Sequence, residues 1–263
     1  MTTLIKTFKN IIFVALIGVI AFLLSGVVLK PFVGVGNDLR FVISYSLPIV
    51  LMLLGVSLYD RFVSGRRQPV MCSIKGLNPL MLLCNLFLLV SISVALSPLM
   101  RLLPEAQQSV PTTVWAVVTM IFIAPIFEEI LFRAKIFSVF RSTLSPTLSA
   151  VVTSLIFAVM HGQLSVALEA FVVGMVLSYT YISQRSVLAP IVLHIFNNII
   201  AFVLVNFEYQ GRTIEDFIGD LPFFNIIYAI SLVIIIVNLI FVILAYRRAD
   251  IKARGYSRVS TFD

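Results

Sequence analysis

Six side chains stand out because apolar sequence surrounds them. Phe127-Glu128-Glu129-Ile130-Leu131-Phe132-Arg133 places two carboxylates and a guanidinium in one apolar run. Phe157-Ala158-Val159-Met160-His161 closes a second run, and His194-Ile195-Phe196-Asn197-Asn198 lies in a third. His161 and His194 are the chain's only histidines. An ionisable group inside a membrane segment costs roughly 2.5–3.5 kcal/mol on insertion scales, so such groups are functional candidates by default. Carboxylate and imidazole are proton-transfer groups. Two histidines and a glutamate can also hold zinc with an open fourth position, although the His-Glu-x-x-His spacing of helical zinc peptidases is absent.

The elements that must position these groups are membrane helices. Of the 263 residues, 60% are hydrophobic and 12% charged, against a soluble norm of roughly 45–50% and about 25%. Eight apolar segments are expected to be helical: Ile11 to Leu29, Phe41 to Tyr59, Pro79 to Leu96, Thr113 to Phe140, Thr147 to Met160, Leu164 to Ile182, Leu188 to Val205, and Phe223 to Tyr246. The first is read as a signal anchor. Lys6 and Lys9 precede it, but its run is long for a signal peptide and no A-x-A pattern follows. With no repeat or linker visible, the reading is one all-α polytopic membrane domain over residues 1–263, crossing about eight times around an intramembrane polar site, with its core at about 113–205. The fifth segment is short and ends in His161-Gly162, which suggests a cavity rather than a lipid face.

The net charge of +7 does not point to nucleic acid, because the basic residues lie in short loops between apolar runs, where they set topology. With both termini in the cytoplasm, 15 of the 19 Lys and Arg residues lie inside, and only Lys30, Arg40, Arg101 and Arg212 lie outside. A multi-pass protein of the cell membrane with both ends inside is therefore expected. Cys72 falls in a basic loop and Cys84 in an apolar run, so neither a disulfide nor a metal spacing is expected from them.

Depth brings the candidates together. At about 1.5 Å per residue, Glu128 lies roughly 20 Å from the Arg141 boundary and His161 roughly 22 Å from Pro146. By the same rise, Asn198 and His194 lie roughly 18 and 12 Å from Ser186. Arg133 is four residues from Glu129, a pairing distance on one helix face, whereas Glu128 is turned about 100° away. Glu129 with Arg133 therefore reads as a structural ion pair. Glu128 then faces a cavity or serves as a second partner for Arg133. His194 and Asn198 share a face. Asn197 turns to another side and reads as a packing group, Asn85 and Asn238 read as interhelical hydrogen bonders, and Gly174 reads as a point of close helix approach. Glu169 receives no role.

The three runs resemble the signatures of the CAAX-protease and bacteriocin-processing (Abi) family of intramembrane endopeptidases. Glu128, Glu129 and Arg133 match its Glu-Glu-x-x-x-Arg motif, Phe157 and His161 its Phe-x-x-x-His motif, and His194 and Asn198 its His-x-x-x-Asn motif. The stretch from Phe171 through Gly174 and Tyr179 to Asn198 is also family-like, and the resemblance covers roughly Thr113 to Val205. The resemblance implies a glutamate-dependent peptidase acting on peptides or membrane-protein tails. Glu128 and His161 would activate water, His194 and Asn198 would hold the oxyanion, and no metal or other cofactor would be used. The rival within the same resemblance is a non-catalytic scaffold or bacteriocin-immunity protein that binds a sensor kinase or a peptide. A transporter is less supported, since no paired broken helices occur in two halves.

Overall fold

The computed structural model describes residues 3–30, 37–62, 70–75, 77–100, 102–103, 113–209, 218–219 and 221–259. Arg66, Arg67, Arg101, Arg212, Glu215, Asp216 and Asp220 lie outside them. Among the described residues there is no strand. The long helical stretches are α1 (Thr3–Leu29), α2 (Asn37–Phe62), α3 (Pro79–Met100), α4 (Val114–Arg141), α5 (Pro146–Met160), α6 (Leu164–Gln184), α7 (Leu188–Tyr209) and α8 (Leu221–Val259). The protein is an all-α polytopic membrane protein.

Each expected apolar segment is a helix, but several helices outrun the apolar run. α1 begins at Thr3 rather than Ile11, and α8 continues to Val259 rather than Tyr246. Hydropathy marks the part of a helix that lies in hydrocarbon, about 30 Å thick, whereas the backbone hydrogen bonds continue into polar sequence. Six of these helices are long and apolar enough to cross a membrane. α5, at 15 residues, is about 22 Å long, so it falls short of that thickness unaided.

The helices pack as two compact units. The first contains α1, α2 and α4, and the second contains α3 and α5–α8. In the first, α1 lies against α2, and α2 lies along α4. Asn10 of α1 is buried there, accepting from Tyr59 Oη at 2.7 Å and donating to the Val139 carbonyl at 3.3 Å. In the second, α5 packs on α6, and α8 lies mainly along α3. A Cβ at Gly174 of α6 would meet the Ser154 side chain of α5 at 3.1 Å, so the close approach expected of this glycine occurs. Asp250 of α8 clamps the start of α5, accepting from the Thr147 N–H at 3.2 Å and from Thr147 Oγ1 at 2.7 Å. A carboxylate there also complements the positive end of the helix dipole.

In the most apolar windows of α4 and α6, 44% of residues are buried in the protein, against 6% in α8. α4 therefore has a shielded face where charged side chains can be tolerated. α8 packs on α3 along one side and leaves apolar residues such as Val233, Ile236 and Phe241 exposed on its remaining surface, as a lipid-facing helix does.

Candidate active site

α4 is not the uniform α-helix that the spacing suggested. Two π-helical stretches, Thr119–Ile123 and Ile130–Ile136, flank the α-helical turns Ala124–Glu129. Pro125 accounts for the first, because a proline within a helix has no N–H to give to the preceding turn. No proline or glycine lies in the second. Such widened turns recur at functional sites, and here they bracket the two glutamates.

Glu129 and Arg133 form an ion pair, with Arg133 Nη1 donating to Glu129 Oε1 at 2.9 Å. Both side chains are fully buried. In that environment either charge alone is costly, and removing one partner of a buried pair destabilises by about 3–5 kcal/mol. Glu128, on the same helix, is also buried, at 7% exposed. Its Oε1 accepts a hydrogen bond from Tyr45 Oη of α2 at 2.7 Å. The Tyr45 ring stacks on Phe41 one turn earlier, with centroids 6.4 Å apart and planes at 21°.

In the second unit the histidines gather around Phe157, which is 2% exposed. The ring of His161 meets it edge-on at 4.6 Å and 68°, and that of His194 does so at 5.8 Å and 79°. His161 is the first residue past α5, and Gly162 follows with φ +75°. This left-handed conformation, readily open to glycine, ends the helix. His161 Nδ1 lies 2.8 Å from the Phe157 carbonyl. A carbonyl only accepts, so Nδ1 carries the proton in this contact, and in the neutral ring Nε2 holds the lone pair. His194 is buried at 4% exposed, and Asn198 lies one turn further along α7, half-buried.

The structure thus groups Glu128 with Tyr45, Glu129 with Arg133, and His161 with His194 through Phe157. Tyr45 escapes sequence reasoning, because a tyrosine in an apolar run carries no charge and no motif. Among the remaining polar groups, Glu169 accepts from Ser93 Oγ at 3.2 Å, and Asn85 donates to Thr180 Oγ1 of α6 at 2.9 Å, the interhelical bond expected of it. Asn238 differs, donating to the Ile234 carbonyl of its own helix at 2.9 Å. Cys72 and Cys84 are both unpaired thiols. Among the described residues, no three His, Cys, Asp or Glu side chains are grouped as metal ligands.

Residues 110–200 match the family model described as type II CAAX prenyl endopeptidase Rce1-like. An Escherichia coli protein described as "Uncharacterized 24.3 kDa protein" is 37% identical over 94 residues, covering 34% of this chain and 43% of that protein. The chain therefore matches less than half the length of that relative. No solved structure matches the chain significantly. The matched segment contains all three motifs, so over residues 110–200 this chain is similar to the Rce1-like type II CAAX prenyl endopeptidases.

Proposed function

We propose that the protein is an intramembrane endopeptidase that hydrolyses peptides or the tails of membrane proteins. Glu128 and His161 draw a proton from water, whose oxygen attacks the scissile carbonyl carbon. His194 and Asn198 donate to the oxygen that becomes negative, a contribution of about 2.7–4 kcal/mol per donor in comparable sites. Collapse of the tetrahedral intermediate breaks the C–N bond, and the proton taken from water passes to the leaving amine. Glu129 with Arg133 supports α4 structurally. Carboxylate and imidazole suffice for this water activation, and no cofactor is invoked.

The observation that carries this reading is the hydrogen bond from His161 Nδ1 to the Phe157 carbonyl, which leaves Nε2 as the basic nitrogen in the neutral ring. The family match over residues 110–200 supports it and makes prenylated CAAX-type tails the first substrates to try. We further propose a cell-membrane location with both termini cytoplasmic, from the charge bias of the loops. Membrane extracts containing wild type or Glu128→Gln test the activity against a panel of prenylated and plain peptides. Cleavage is expected only with wild type. Equal processing by both extracts would favour the scaffold role.

A further inference from the structure

The Tyr45 hydroxyl is 2.7 Å from Glu128 Oε1, yet Tyr45 lies on α2, outside the matched segment 110–200. The terminal torsion of a glutamate is broad, so a carboxylate that must present an oxygen to water in one direction needs an anchor. A phenol O–H donating to a carboxylate oxygen is a strong anchor, with charge-assisted bonds of this type near 2.5–2.7 Å. The donor is itself held in place. Its ring stacks on Phe41, and α2 packs along the α-helical turns of α4 that carry Glu128. Tyr45 as a residue is 37% exposed, so its ring is not core filling, whereas its hydroxyl reaches in to the buried Glu128.

We propose that Tyr45 is a positioning residue for Glu128, fixing the orientation of the carboxylate through its hydroxyl. This rests on the reading of Glu128 as the base. It predicts a division of labour across the first unit, with α4 supplying the reacting group and α2 aiming it. A merely structural tie between α2 and α4 predicts something else, namely reduced thermal stability with unchanged turnover per folded molecule.

The test uses the full chain in detergent, as wild type, Tyr45→Phe, Glu128→Gln and the double variant, with a fluorescence-quenched farnesylated CAAX peptide as probe. Tyr45→Phe keeps the ring and its stacking. It is expected to lower kcat about 10- to 100-fold, as for losing a hydrogen bond to a charged group, with KM and Tm unchanged. The double variant is expected to be no slower than Glu128→Gln alone, because the hydroxyl acts only through that carboxylate. Infrared difference spectra between wild type and Glu128→Gln isolate the Glu128 carboxyl band without any substrate, and Tyr45→Phe should shift that band. Full kcat in Tyr45→Phe beside an inactive Glu128→Gln, or an unshifted band, would overturn the role of Tyr45 and spare the base. An active Glu128→Gln would overturn the reading on which it rests.

Discussion

His161 Nδ1 donates to the carbonyl of Phe157, one turn back, across 2.8 Å, while the two rings meet edge to face. One residue thus fixes both the tautomer and the tilt of the imidazole. The neutral His161 ring is expected to be the Nδ1–H tautomer, readable from nitrogen chemical shifts of labelled protein in lipid. Signals of a ring protonated only at Nε2 would contradict the arrangement.

Glu129 and Arg133 make a second prediction, this time about stability. Arg133→Ala strands a buried carboxylate at a cost of about 3–5 kcal/mol, so folded protein in the membrane should fall sharply. The paired replacement Glu129→Leu with Arg133→Met should recover much of that loss, since apolar side chains of similar size often substitute for a buried ion pair without penalty. Quantitative detection of folded protein after detergent extraction checks both. Normal abundance of Arg133→Ala would show that the pair does not hold α4 together.

Much of this was legible in the sequence, for identifiable reasons. The cost of burying charge makes Glu128, Glu129, Arg133, His161 and His194 conspicuous in apolar runs, and a spacing of four residues is enough to suggest the Glu129–Arg133 bond. Helix ends such as Thr3 and Val259 were not legible, because apolar character stops where hydrocarbon stops and helix does not. Pro125 was a visible signal for the first π-helical stretch, whereas Ile130–Ile136 carries no residue that marks the second. Tyr45 was invisible for a different reason. Its partner is 83 positions away, and only the packing of α2 on α4 brings the phenol to the carboxylate. Asn238 shows the converse, since an asparagine in a membrane helix satisfies itself as readily on its own backbone as across an interface.

The charge bias of the loops predicts topology. Reporter fusions placed after Tyr59 and at the C-terminus should both report the cytoplasmic side, given the excess of loop Lys and Arg residues assigned there. A C-terminal reporter active only on the outer side would reverse the assignment of the last crossing.

The central claim is that Glu128 is the base and that no metal stands in its place. The most direct measurement is the turnover of purified wild type and Glu128→Gln on one quenched peptide, each with and without a strong chelator. Glu128→Gln keeps the shape of the side chain and removes its basicity. The account predicts a loss of about 10²–10⁴-fold, the usual contribution of a general base, at unchanged membrane abundance, with wild-type turnover unaffected by the chelator. Undiminished turnover in Glu128→Gln, or chelator inhibition reversed by added zinc, would contradict it.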